Sequence, residues 1–82
     1  MSRNNLIIVV CDKRAHRKTK PIYYIFPNMN ADIDWNYRVL RRRIQTENQK
    51  WTKNEGLALI LAHRMDAKLK TEYGVRIMTL KY

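Results

Sequence analysis

Apolar residues form two short, nearly continuous runs in the first third of the chain. Residues 6–11 are all apolar and mostly β-branched, and charged residues follow them directly. A short run of this kind predicts a strand that is buried on both faces. Residues 22–26 predict a second strand, with Pro21 before it and Pro27 after it. We expect the two strands to pair antiparallel, because residues 12–21 suit an exposed hairpin loop.

A helical period of apolar residues follows. The Asn and Asp residues between positions 28 and 34 favour a helix that begins near Asp32 or Asp34, because such side chains cap free backbone N–H groups. The period predicts that this helix ends near Thr46 or continues to Lys50. Its expected buried line comprises Ile33, Tyr37, Leu40, Ile44 and Trp51.

A second helical pattern occupies the later part of the chain. The segment from Thr52 to Glu55 matches a capping box, in which the threonine caps the helix and the glutamate reaches back. Gly74 is expected just after the helix ends, and residues 75–80 predict a terminal strand. The expected buried residues of the helix are Leu57, Leu61, Met65, Leu69 and Tyr73, with Ala58 and Ala62 beside them.

The order β-β-α-α-β predicts a small α+β fold with a three-stranded sheet and both helices packed on one face. The 82 residues are expected to form a single domain, 1–82, with a basic hairpin loop at 12–21. The aromatic strand 22–26 suits pairing with a second copy, so a homodimer is one possible assembly.

The cysteine content and the length of the apolar runs indicate the cellular compartment. Cys11 is the single cysteine, which excludes an intramolecular disulfide and favours a cytoplasmic protein. The longest apolar runs, 6–11 and 57–62, are far shorter than the ~20 residues of a membrane span. We therefore expect no membrane association.

Positive charge is abundant and unevenly placed. The chain has 17 Lys and Arg residues against 7 Asp and Glu, a formal net charge of +10. Residues 1–44 contain ten cations and three acids, whereas residues 45–82 contain seven and four. This excess favours a polyanionic partner, although it says nothing about the fold.

The first basic cluster lies in the predicted hairpin loop, with no acid after Asp12. Closely spaced like charges keep a segment extended and solvated, which suits contacts to backbone phosphates. The alternative is a solvated loop that only aids solubility. The cluster comprises Lys13, Arg14, Arg17, Lys18 and Lys20, with His16 among them.

The second cluster is Arg38, Arg41, Arg42 and Arg43, on the first predicted helix. A helical wheel places Arg38, Arg41 and Arg42 away from the apolar line. The same wheel places Trp35 beside these arginines, where an exposed indole would stack an unpaired base. The alternative for Trp35 is burial in the core.

The predicted strand 22–26 offers further aromatic side chains. Tyr24 and Phe26 share one face of the strand. If both helices cover the other face, these rings are exposed, as in sheet-based RNA binders. The alternative is that they are ordinary core residues.

The leading hypothesis is a non-catalytic nucleic-acid-binding protein of low sequence specificity, with RNA or single strands favoured. Contact with about five phosphates predicts a slope of log affinity against log salt near −3.5 to −4.5. With glycine only at Gly56 and Gly74, the sequence has no glycine-rich phosphate loop. We expect no cofactor, no metal ion and no enzymatic activity.

The sequence also fits two other functions. One is a small interaction or inhibitor protein that docks on an acidic partner, such as a nucleic-acid-processing enzyme. The content of Asn, Lys, Ile and Tyr is typical of small accessory proteins from AT-rich genomes, those of bacteriophages among them. The other is a small toxin-like ribonuclease with His16 as general base.

Overall fold

The computed structural model describes residues 5–14 and 20–81, which contain two helices and one four-stranded sheet. The strand order in the sheet is β3-β2-β1-β4. The predicted α+β class is confirmed, but the sequence analysis missed the short strand β3. In chain order the elements are β1 (Asn5–Asp12), β2 (Ile22–Asn30), α1 (Tyr37–Thr46), β3 (Lys50–Thr52), α2 (Glu55–Leu69) and β4 (Val75–Leu80).

Strand β1 is the centre of the molecule. It pairs antiparallel with β2 and parallel with β4, so the predicted antiparallel pairing of the first two strands is confirmed. Every residue from Leu6 to Asp12 is buried. Because strand side chains alternate, Leu6 and Ile8 point to one face of the sheet and Ile7 to the other. The prediction of burial on both faces is confirmed.

The two helices cover opposite faces of the sheet. One core cluster contains Leu40 of α1, and we call its side of the sheet the α1 face. The other contains Ala58 and Ala62 of α2, and its side is the α2 face. The expectation of both helices on one face is wrong, because it would leave alternate side chains of β1 in water. The α1-face core is Leu6, Ile8, Val10, Phe26, Met29, Trp35, Leu40 and Leu80, and the α2-face core is Ile7, Val9, Ile25, Ala58 and Ala62.

Strand β2 passes through Pro27 instead of ending there. The register shifts because Leu6 pairs with Met29 whereas Ile8 pairs with Phe26, which inserts an extra residue into β2. Proline has no N–H for the ladder, and Asn28 adopts φ 58°, a left-handed conformation that asparagine tolerates. A β-bulge of this kind extends the strand to Asn30.

Helix α1 begins later than the sequence analysis predicts. The Asn36 side chain accepts a hydrogen bond from the Val39 N–H at 3.1 Å and caps the helix. Ile33 and Tyr37 are exposed, so the predicted buried line holds only at Leu40 and in part at Ile44. The helix ends at Thr46, the earlier of the two predicted ends.

Helix α2 is capped by Asn54 and not by Thr52. The Asn54 side chain accepts from the Leu57 N–H at 2.9 Å, so the predicted capping box is wrong. The helix ends at Leu69, and its C-cap residue, Lys70, adopts the left-handed conformation with φ 52°. Gly74 lies four residues beyond, directly before β4, and its carbonyl accepts from the Ile7 N–H at 2.8 Å.

The predicted buried line of α2 is only partly correct. The two alanines, Ala58 and Ala62, are fully buried against the sheet, and Leu61 and Met65 are partly buried. Three expected core residues are exposed instead: Leu57, Leu69 and Tyr73. Small side chains therefore make the closest contact of this helix with the sheet.

Candidate functional site

Three exposed arginines lie on the outer side of α1, as the helical wheel predicts. We call Arg38, Arg41 and Arg42 the arginine face. Together with Tyr37, Val39 and Gln45 they line an open groove of about 650 Å³. Among residues 5–14 and 20–81, the salt bridges are Arg14–Asp12 and Arg43–Glu47. Within those residues, the arginine face has no carboxylate at ion-pair distance.

Arg43 lies on the inner side of the same helix and is engaged by its neighbours. Its guanidinium carbon lies 4.9 Å from the centre of the Trp35 ring. Its Nη1 is 3.0 Å from Oε1 of Glu47 and 3.9 Å from the sulfur of Met29. A phosphate would have to displace these contacts, so we leave Arg43 out of the proposed interface.

Trp35 is a core residue. Its side chain is 4% exposed, and its indole N–H donates to the Asn30 carbonyl at 2.7 Å. The Arg43 guanidinium covers the ring. The sequence-based interpretation of Trp35 as an exposed stacking platform is therefore wrong. The helical wheel misplaced it because the chain at position 35 is not yet helical.

An ion pair closes the end of β1. Arg14 Nε and Nη2 donate to the two carboxylate oxygens of Asp12 at 3.0 and 2.9 Å, and the Arg14 backbone N–H donates to Oδ1 at 3.0 Å. Burial opposes ionisation of Asp12, but these hydrogen bonds and the Arg14 charge outweigh it and lower the pKa of the carboxyl. The Arg41 charge adds to the lowering.

Two aromatic side chains continue from this ion pair across the α1 face. Tyr24 packs against the α1-face core, and its pKa is raised by burial and by the Asp12 charge. Tyr24 pairs with Trp51 of β3, and directly paired antiparallel residues share a face. Trp51 is 58% exposed. We call Arg14, Tyr24 and Trp51 the aromatic strip.

Trp51 is the residue that the sequence analysis assigned wrongly. It was expected in the buried line of the first helix, yet it lies in a three-residue edge strand. The signal available in the sequence was its setting, a single apolar residue between Lys50 and the polar pair Thr52-Lys53. An isolated apolar residue in a polar segment has no apolar neighbours in the chain with which to form a buried face.

The structure divides the predicted basic loop. Lys13 and Lys20 are exposed, and Arg14 is half-buried in its ion pair with Asp12. Lys20 lines a groove of about 660 Å³ that also includes Lys53 and Glu55 at the start of α2. The remaining residues of the cluster lie outside the described residues: His16, Arg17 and Lys18. Their assignment to phosphate contacts stays a prediction.

The α2 face contains the largest pKa shift of the described residues. Burial, together with the neighbouring Cys11 thiol and Glu55 carboxylate, raises the pKa of Tyr23 to about 12. The Tyr23 hydroxyl donates to Glu55 Oε2 at 3.5 Å. A raised pKa keeps this phenol protonated at neutral pH, so its chemical role here is that of a hydrogen-bond donor.

The described residues offer no group of three or more His, Cys, Asp or Glu side chains that could hold a metal ion. No helix in the same ranges has the length and hydropathy of a membrane span. Comparison with protein-family models, curated proteins and solved structures finds no match for this chain. The arginine face and the aromatic strip are the surfaces on which a function can be proposed.

Proposed function

We propose that this protein binds nucleic acid through its phosphate backbone and has no catalytic role in that interaction. The observation that carries the proposal is the arginine face, where three guanidinium groups lie exposed on one helix. Arginine presents a planar fork of donors that matches a phosphate in a bidentate manner. Asp12 does not cancel this charge, because its own ion pair is with Arg14.

Low sequence specificity follows from the chemistry of the groove. Its polar lining apart from the arginines is the phenol of Tyr37 and the amide of Gln45. Base-edge reading in a major groove uses several amide, guanidinium and hydroxyl groups on one element. Phosphate contacts fix the position of a protein on nucleic acid but carry no sequence information.

The proposal is tested by neutralising the arginine face. The triple variant Arg38→Gln, Arg41→Gln and Arg42→Gln is compared with wild type by fluorescence anisotropy of a labelled oligonucleotide over a salt series. Each phosphate contact contributes about −0.7 to −0.9 to the slope of log affinity against log salt. We expect the variant to lose about 2 to 3 units of slope and most of its affinity at low salt.

A matched control removes the same charge from α2. The variant Arg64→Gln, Lys68→Gln and Lys70→Gln changes three exposed cations on and just after that helix. We expect it to retain most of the slope and affinity. Equal losses in the two triple variants would show that total charge and not the arginine face determines binding, and absence of binding by wild type would refute the proposal.

A protein partner is the second candidate, and a different surface favours it. On α2 the apolar side chains of Leu57, Ile60 and Leu69 are between 44% and 51% exposed. Exposed apolar groups together with cations suit an acidic protein surface better than a phosphate backbone. Affinity capture with and without nuclease separates the two functions, because a partner retained after nuclease treatment binds the protein directly.

A further inference from the structure

We propose that Trp51 stacks an unpaired base, so that the ligand of this surface is a single-stranded nucleic acid. The inference rests on the proposed function and adds the class of nucleic acid and the residue that selects it. Every nucleobase has a π-face, so stacking on an exposed aromatic ring tolerates any sequence. A duplex offers no such face along its length, because its bases are already stacked on one another.

The exposure of Trp51 is the first observation that carries the inference. Trp51 is 58% exposed, whereas Trp35, the other tryptophan, is 4% exposed and covered by Arg43. Tryptophan is a costly residue to leave in water, because its ring is the largest apolar group among the side chains. The packing of this chain gives Trp35 a structural role and leaves the Trp51 ring available to a ligand.

The position of Trp51 on the sheet is the second observation. Trp51 pairs with Tyr24, which places the two Cα atoms about 4.5–5.5 Å apart with both side chains on the α1 face. Tyr24 in turn lies diagonally across from Asp12, since Asp12 pairs with Ile22. A continuous path therefore leads from the Asp12–Arg14 ion pair, over Tyr24, to Trp51.

The charges around this path are the third observation. Asp12 and Glu47 are each paired with an arginine, and Glu55, four residues after Trp51, accepts a hydrogen bond from Tyr23 on the α2 face. Lys53, two residues after Trp51, is exposed, whereas Lys50 pairs with Ile25 and therefore points to the α2 face. Trp51 thus combines an exposed ring with an exposed cation close by in the chain, and single-strand binding surfaces likewise combine aromatic rings with cations. An acidic protein would find the same charges but would not need a free ring.

The experiment compares Trp51→Ala and Trp51→Phe with wild type. The ligands are a fluorescein-labelled oligothymidine of about fifteen nucleotides and a labelled duplex of the same length. The control is Tyr73→Ala, which removes a similarly exposed aromatic ring (53%) from the turn before β4. Removing one stacked base weakens binding by about 5- to 150-fold. We expect this loss for Trp51→Ala on the single strand, a smaller loss for Trp51→Phe, and no loss for the control.

The salt slope separates this inference from the proposed function. Trp51→Ala changes no charge, so we expect its slope to equal that of wild type while its affinity falls. Unchanged single-strand affinity in Trp51→Ala would overturn the stacking inference and leave the phosphate-binding proposal intact. An equal loss on single strand and duplex would also overturn it, because a stacked base is specific to the single strand. Failure of wild type to bind either ligand would refute the proposed function itself.

Tryptophan emission gives an independent readout. Stacking places a base against an indole, and we expect the oligothymidine to quench wild-type emission. The variant Trp51→Phe retains only Trp35 as an indole, which is buried, and its emission should stay unchanged at saturating ligand. Quenching of Trp35 in that variant would contradict the assignment of Trp51 as the stacking residue.

Capture of an acidic protein from lysate tests the alternative ligand. If that protein binds wild type and Trp51→Ala equally while the oligothymidine binds neither, the surface is a protein-docking site and the inference fails.

Discussion

The two faces of the sheet are covered in different ways. On the α1 face, large side chains such as Leu40 and Trp35 fill the core, and the outer side of the helix carries the arginine face. On the α2 face, Ala58 and Ala62 make the fully buried contacts, and apolar residues such as Ile60 remain exposed. Helix α1, which buries the larger side chain, therefore exposes three arginines on its outer side, with Tyr37 beside them.

The difference follows from side-chain size. An alanine lets the helix backbone approach the sheet closely, but it buries little area itself. The leucines of α2 then lie at the sides of the contact or beyond it, as Leu57 and Leu69 do. Leu40 reaches the sheet from a greater distance and buries its whole side chain. The same helical period thus places the exposed arginines of α1 on the side away from Leu40, whereas the exposed surface of α2 mixes apolar and charged side chains.

The largest effect is expected from truncating the core of the α1 face. Trp35→Ala should lower the free energy of unfolding by about 3–5 kcal/mol, because it opens a cavity and removes the hydrogen bond to Asn30. Trp51→Ala should change it by at most about 0.5 kcal/mol, because most of that ring is in water. Urea denaturation followed by circular dichroism measures both values. Similar costs for the two substitutions would contradict the assignment of one tryptophan to the core and the other to the surface.

A smaller effect is expected from enlarging the contact on the α2 face. Ala58→Leu should cost about 1–3 kcal/mol, because a fully buried alanine against Ile7 and Ile25 leaves no room for a larger side chain. The control is Ala67→Leu, which enlarges an exposed alanine of the same helix and should be neutral. Thermal melts of the two variants make the comparison. If Ala58→Leu melts at the same temperature as wild type, α2 does not pack closely on the sheet.

The smallest expected effect is on the pH dependence of the free energy of unfolding, compared between wild type and Asp12→Asn. The folded state lowers the pKa of Asp12 below its ordinary value of 3.8, so its contribution to stability is present at neutral pH. That contribution is lost as the pH falls through the folded pKa, where the carboxylate is protonated. We expect Asp12→Asn to be less stable than wild type at neutral pH, and the gap to narrow in acid. A gap of constant size from neutral pH to about pH 2 would contradict the shift.

The sequence was sufficient where a pattern had a single physical solution. The run at residues 6–11 has no polar position, so only a strand covered on both sides accommodates it, and β1 is such a strand. The alternation in residues 75–80 gave the bounds of β4. Arg38, Arg41 and Arg42 were placed correctly because charge opposite to Leu40 has no other favourable position.

The sequence was insufficient where tertiary contacts decide between alternatives. The helical wheel places Trp35 beside the arginines and Trp51 in the apolar line, and only the packing shows that Trp35 is enclosed and Trp51 is exposed. The bulge at Pro27 and Asn28 extends a strand past a residue that ordinarily ends one. The placement of the helices on opposite faces depends on the chain path between them, which includes the three residues of β3.

The pairing of β1 with β4 has a consequence for how the chain is made. Ile7 lies beside Val75, so the central strand gains its second neighbour only after the intervening helices and strands have left the ribosome. At translation rates of about 5–20 residues per second, β1 waits several seconds with one edge unpaired. Its apolar residues then depend on the β2 hairpin, or on a chaperone, for cover. The unpaired edge of an apolar strand is prone to aggregate during that interval.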